Sequence, residues 1–113
     1  MKMDTINMER TYPTVEQAKN QILSAVPAAR RRGVKCIKII HGYGSSGTGG
    51  AISQALPGFL TAQKASGFIR DYAVGADFSA QRDAGTRLAR LYPDLKQDSD
   101  YKNGNQGITI IVL

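Results

Sequence analysis

His41 stands at the mouth of a glycine-rich run in which Gly42, Gly44 and Gly47 keep the G-x-G-x-x-G spacing. Glycines so spaced let backbone N–H groups approach an anion closely. Where such a loop opens a helix, the partial positive charge of the helix N-terminus adds to the attraction. Tyr43 lies inside the run, Ser45, Ser46 and Thr48 add hydroxyl donors, and Gly49 and Gly50 close it. Phosphate is the natural guest of such a loop, although glycines and hydroxyls also serve simply to turn a chain and cap a helix. His41, the sole histidine, can donate to a phosphate or act as a general acid or base; it can equally be a structural ring bonded to a loop carbonyl.

Neighbouring chemistries are excluded by what stands beside these residues. A P-loop needs Lys after the last glycine, and the chain has Thr48. A dinucleotide fold would use Asp71 for the ribose, yet the loop follows the second expected strand and the chain is short for a two-half sheet. One histidine and one cysteine make no zinc site. Asp94, Asp98 and Asp100 fail as a calcium loop, because Lys102 takes the fifth position and no Glu closes the twelfth. They read as a solvated acidic loop, and no metal site is expected.

The elements that must position this loop can be traced in both directions. Upstream, Val34 to Ile40 is rich in Val and Ile and reads as a strand, with Cys36 packed inside it. Before it, Thr14 and Gln17 have capping-box spacing, and Val15, Ala18, Ile22, Ala25, Val26 and Ala29 share one helical face. Pro27 is expected to kink that helix. Arg30, Arg31 and Arg32 before Gly33 suit its carboxyl end. A short first strand is expected over Asp4–Met8. Downstream, Ile52, Ala55, Leu56, Phe59 and Leu60 predict a helix bent at Pro57, Gly67–Ala73 a third strand, and the stretch from Asp77 or Ser79 to Tyr92 a third helix ended by Pro93. Asp94–Gly107 reads as a polar loop, and the β-branched run Ile108–Leu113 as a buried last strand. The order β-α-β-α-β-α-β predicts an α/β two-layer sandwich: a mixed, mainly parallel four-stranded sheet with helices mostly on one face. The glycine loop would then sit at a strand's carboxyl end, where α/β sheets place ligands.

The 113 residues fit one domain, and 42% apolar residues can fill its core. Charge appears at Lys2 and Asp4, before any signal-peptide core could form, and no apolar run is long enough for a membrane span. A cytoplasmic location and no membrane partner are expected. The net charge of +6 is uneven: residues 1–57 carry 8 Lys and Arg against 3 Asp and Glu, and residues 58–113 carry 7 against 6. Such asymmetry suits a phosphate-rich partner.

The run Ile39-Ile40-His41-Gly42-Tyr43-Gly44, the helix start Thr14-Val15-Glu16-Gln17-Ala18 and the closing Gly107–Leu113 together resemble the small MutS-related (Smr) domain, in a stand-alone form over residues 1–113. The resemblance implies a sandwich similar to the carboxyl-terminal domain of bacterial translation initiation factor three. It also implies DNA or RNA as partner and, in several family members, endonuclease activity. That activity needs a second motif, Leu-Asp-x-His-Gly, at the first strand. One register offers Ile6-Asn7-Met8-Glu9-Arg10 and the other Met8-Glu9-Arg10-Thr11-Tyr12. Neither supplies the histidine, and only the second keeps an acidic residue, Glu9, at the aspartate's place. Residues 76–106 are expanded relative to the usual short connection.

The leading expectation is therefore a nucleic-acid-binding domain. Its His41-Gly42-x-Gly44 loop and following helix terminus, residues 41–49, contact phosphates, with Arg30, Arg31, Arg32 and Lys64 as supporting charges. A weak endonuclease with His41 and Glu9 as catalytic groups, needing Mg or Mn, is the first alternative. A small nucleotide-binding or protein-interaction module is the second. No cofactor is otherwise expected.

Overall fold

The computed structural model describes residues 1–43 and 49–113. Its first strand, β1 (Met3–Asn7), leads through a turn into helix α1 (Val15–Arg31). The start of α1 is the reciprocal cap anticipated from the sequence: Gln17 N–H donates to Thr14 Oγ1 at 3.1 Å, and Thr14 N–H donates to Gln17 Oε1 at 2.9 Å. The helix runs unbroken through Pro27. It ends where Gly33, at φ +76°, turns the chain and donates to Arg30 O, while Val34 N–H reaches back to Ala29 O. Strand β2 (Cys36–Ile40) and helix α2 (Gly49–Ala65) follow, then β3 (Asp71–Val74), a 3-10 turn at Gly75–Asp77, helix α3 (Asp83–Leu91), a 3-10 segment at Pro93–Gln97 and β4 (Ile108–Val112).

The sheet order is β1-β2-β4-β3. β1 and β2 pair in parallel, with Asn7 opposite Ile40, while β4 pairs antiparallel with both β2 and β3. The sheet is thus mixed, as expected, and three of its four strands point the same way. The mainly parallel expectation holds for direction but not for pairing: two of the three ladders are antiparallel because the last strand inserts between β2 and β3. A central strand needs apolar side chains on both sides, which is why β4 is β-branched almost throughout and buried at every position.

Alternation along the strands divides the core in two. On one face Ile37, Ile39 and Ile111 pack against Ile22, Val26 and Ala29 of α1 and Ile52, Leu56 and Leu60 of α2. On the other, Cys36, Ile108, Ile110 and Val112 meet Phe78, Leu88, Leu95 and Tyr101. Two of the three helices share a face, as expected. The expanded segment adds a cover on the opposite face, where the sequence anticipated two layers. Gly75 and Gly85 make that cover possible, since a Cβ at Gly75 would lie 1.7 Å from Asn105 O and one at Gly85 2.2 Å from Ser79 O. Cys36 is fully buried, and burial pushes its thiol up to about 12, so it stays protonated packing material.

The acidic loop read as solvated is corrected here. Asp94 does remain exposed beside the amino terminus. Asp98 and Asp100, however, fold back onto the sheet and bind the Lys38 ammonium at 2.6 and 2.7 Å, all three side chains being largely buried. Lys38 points to this face because it alternates with Ile37 and Ile39. Without the two carboxylates its charge could not be buried there.

Candidate functional site

The turn after β2 is built from the last strand. His41 N–H and Gly42 N–H both donate to Gly107 O at 3.0 Å, which pulls the chain sharply across the end of β4. Gly42 takes φ +74°, and a Cβ there would lie 2.9 Å from Glu9 Oε2. The backbone angle favours glycine here, and the Glu9 side chain lies close enough that any Cβ at this position would make it shift. Glu9 is delivered by the turn after β1, where Met8 N–H donates to Ile40 O at 2.7 Å and Glu9 N–H to Asn7 Oδ1 at 3.0 Å. The parallel pairing of β1 and β2 thus brings the two chain segments singled out from the sequence to one end of the sheet.

His41 is 3% exposed, and both ring nitrogens are engaged. Gly42 O can only accept, so Nδ1 carries a proton toward it at 3.0 Å. Nε2 lies 3.0 Å from Thr109 Oγ1, whose hydroxyl rotates to donate or accept as the ring requires. The histidine fastens the turn to β4, and general acid or base work would require it to release Thr109 first. His41 and Thr109 also line a cleft of about 240 Å³ closed by Ser53 and Pro57 of α2 and by Val74, Gly75 and Ala76. Pro57 has no N–H, so the carbonyl of Ser53 lacks its usual helical donor at this wall.

Tyr43 leaves the turn toward solvent, and its hydroxyl donates to Asn105 Oδ1 at 2.7 Å. The same oxygen accepts from Gly107 N–H at 2.9 Å, and Asn105 Nδ2 donates to Asp100 Oδ1 at 2.8 Å. A chain of bonds thus runs from Tyr43 through Asn105 and Asp100 to buried Lys38. Burial by itself would raise the Asp100 carboxyl, but the Asn105 and Lys38 hydrogen bonds outweigh it and hold that group below the ordinary carboxylate range. Burial would likewise lower the Lys38 ammonium; the bonds to Asp100 and Asp98 and their charges overcome it and hold the ammonium above its ordinary value.

With this geometry in view, the family model of the Smr domain matches residues 10–85, two thirds of the chain. The chain belongs to the Smr domain family. Among solved structures, the crystal structure of the Smr domain of Thermus thermophilus MutS2 is similar over 100% of this chain and 98% of that one, with a TM-score of 0.55 and 20% sequence identity. At that identity the likeness is one of fold. No match is found among curated proteins.

Within this Smr domain the residues singled out from the sequence separate into two groups. His41, Gly42, Tyr43 and Glu9 meet at the carboxyl end of β1 and β2. Gly49 begins α2, while Gly44, Ser45, Ser46, Gly47 and Thr48 lie outside the described residues. Arg30, Arg31, Arg32 and Lys64 stand at the other end of the sheet, where α1 and α2 finish and β2 and β3 begin. Two of these arginines already have local partners: Arg30 donates to Phe68 O and lies over the Phe68 ring, and Arg32 pairs with Asp4. Lys64 pairs with Asp71 at 3.0 Å, as does Arg87. Burial would raise the Asp71 carboxyl, but the hydrogen bonds from Arg87 and Lys64 outweigh it and hold that group low.

The sequence reading missed Thr109, Asn105, Gly107 and Lys38. For Thr109 a signal existed, a lone hydroxyl among Ile108, Ile110 and Ile111. For Asn105 there was none, since one amide in a polar loop looks like any other. Among the described residues, no three His, Cys, Asp or Glu side chains gather as metal ligands, and no helix is long and apolar enough to cross a membrane.

Proposed function

We propose that this Smr domain binds DNA or RNA through the carboxyl end of β1 and β2, and that it binds without cleaving. The observation that carries the reading is the position and charge of α2. This helix of 17 residues is the next described element in the chain after the His41 turn and has no acidic residue in its first turn, whereas α1 carries Glu16 there and α3 carries Asp83. A helix start without a carboxylate favours an anion, and the glycine-rich sequence that precedes this one is of the kind suited to backbone contact with phosphate. Gly42 N–H is consumed by Gly107 O and so is not one of the donors. Phosphate contacts of this kind give affinity and salt dependence with little choice of sequence.

The engaged, buried His41 ring and the missing histidine of the second motif support binding over chemistry. Glu9 is the one observation that favours a weak endonuclease, because its carboxylate lies against the same turn. Among the described residues Glu9 does not gather with two further His, Cys, Asp or Glu side chains, and a carboxylate without such company is a poor seat for Mg or Mn.

Titration of labelled single- and double-stranded DNA and RNA across a salt series tests the proposal. The expected result is an affinity whose logarithm falls linearly with the logarithm of salt concentration, with intact substrate after incubation with magnesium or manganese. Absence of binding at low salt would overturn it. Robust cleavage, lost in His41→Ala or Glu9→Gln with binding retained, would replace it with the nuclease reading. Saturable binding of a mononucleotide without polynucleotide affinity would point to a small nucleotide-binding module.

A further inference from the structure

Among the described residues, the two most exposed large hydrophobic side chains are tyrosines: Tyr12 at 70% and Tyr43 at 68%. Adjacent parallel strands deliver them to the same end of the molecule. Tyr12 closes the turn that follows β1, its N–H donating to Met8 O, and Tyr43 sits in the turn that follows β2. The two turns touch through Glu9 and Gly42. Neither tyrosine has the surroundings of a side chain that drifted to the surface. Tyr12 has φ +48°, a left-handed backbone that residues other than glycine rarely take and that concentrates at functional sites. Tyr43 is tethered by its hydroxyl to Asn105, and one ring edge lies against Gly107, where a Cβ would come 3.4 Å from Tyr43 Cε2. Asn105 is itself fixed through Asp100 to buried Lys38. A ring held at its edge and its hydroxyl, with its surface open to solvent, has already given up the freedom that stacking would otherwise cost.

We propose that Tyr43, with Tyr12 at the same end of the sheet, is a stacking platform for unpaired nucleobases, so that the domain prefers single-stranded or locally opened nucleic acid over closed duplex. The proposal rests on the nucleic-acid reading above and deepens it by naming the substrate class. Stacked bases within a duplex offer no free face to such rings, whereas an unpaired base of any identity does. Phosphate contact at the α2 terminus then supplies the affinity common to every polynucleotide, and the tyrosines supply the difference between paired and unpaired strands.

The test measures equilibrium binding of wild type, Tyr43→Ala, Tyr43→Phe and Tyr12→Asn to a single-stranded oligonucleotide, the same strand carrying abasic sites, and the corresponding duplex. Asn is chosen at position 12 because it tolerates the left-handed backbone. The expected result is a loss of about tenfold to a hundredfold for Tyr43→Ala on the intact single strand. The loss should be smaller for Tyr12→Asn and should vanish for both variants on the abasic strand and on duplex. Tyr43→Phe keeps the ring and should retain most of the affinity, and unchanged thermal unfolding of each variant separates stacking from folding. If wild type binds but Tyr43→Ala loses the same factor on all three substrates, or loses nothing, the platform is overturned and the phosphate reading stands. If wild type binds no polynucleotide at low salt, both fall together.

Discussion

Against Ile37 and Ile39 the sheet meets hydrocarbon from two long helices, whereas against Cys36 and Ile40 the apolar cover is interrupted by Lys38 and the two aspartates that hold it. The first cover is made of amphipathic helices whose apolar stripes are wide enough to close a face unaided. The second is a nine-residue helix, two 3-10 pieces and a polar stretch, which supplies fewer apolar groups and no continuous stripe. Hydrocarbon contact is not directional. A charge-assisted hydrogen bond is, so Lys38 fixes where residues 98–105 lie, and with them Asn105 and the Tyr43 turn. On one face packing supplies stability; on the other a buried ion cluster also sets the position of the site.

The largest expected effect follows from removing that cluster's cation. Lys38→Met should destabilise the fold by about 3–5 kcal/mol at neutral pH, since it leaves buried carboxylates uncompensated. Its pH dependence should invert as well. In wild type the Asp100 carboxyl is held low, so its contribution is present above the unfolded carboxylate range and is lost as pH falls through the lower folded value. In the variant the buried carboxylates favour protonation, and stability should rise as the medium is acidified from about pH 6 toward pH 4. Urea unfolding at several pH values checks both signs; parallel curves for the two proteins would remove the distinction between the faces.

Leu60→Ala probes the hydrocarbon face. It should cost about 2–5 kcal/mol through lost burial and a cavity, with a pH profile parallel to that of wild type. Thr14→Ala removes the α1 cap and should cost about 1 kcal/mol, read in the same unfolding series. Smallest of all, replacing Arg30, Arg31 and Arg32 together should lower the melting temperature slightly and leave the salt slope of polynucleotide binding unchanged. A reduced slope would bring that distant end of the sheet into the interface.

What the sequence revealed follows the same division. α1 was legible to within a residue because its signals are local: a capping box, an apolar stripe, and Gly33 at the exit. β2 and β4 were legible from β-branched runs, although β2 begins at Cys36 where Val34 was expected. β3 was placed too early, because Gly67–Arg70 is spent turning the chain out of α2 before pairing begins at Asp71. α3 starts at Asp83 instead of Asp77 or Ser79, because the tight approach of Gly85 to Ser79 holds the preceding residues in turns. The Lys38–Asp98–Asp100 cluster was invisible for a different reason. It joins residues about sixty positions apart, and no local pattern tells a carboxylate destined for burial from a solvated one. The meeting of Glu9 with the His41 turn required the parallel register of β1 and β2, which composition does not encode.

Cys36 gives the Lys38 face a built-in clock. It is the only thiol in the chain, it has no exposed surface, and its proton is held up to about 12. An alkylating reagent can therefore reach it only after its cover opens, and that cover includes Met1, whose Sδ lies 4.0 Å from the thiol, as well as α3 and the residues around Leu95 and Tyr101. The rate at which a single adduct accumulates under native conditions measures how often that happens. If the cover opens by itself, without separating α1 and α2 from the other face, labelling will run faster than global unfolding allows. The logarithm of the ratio of those two rates, scaled by RT, gives the free energy by which the expanded segment behaves as a unit of its own.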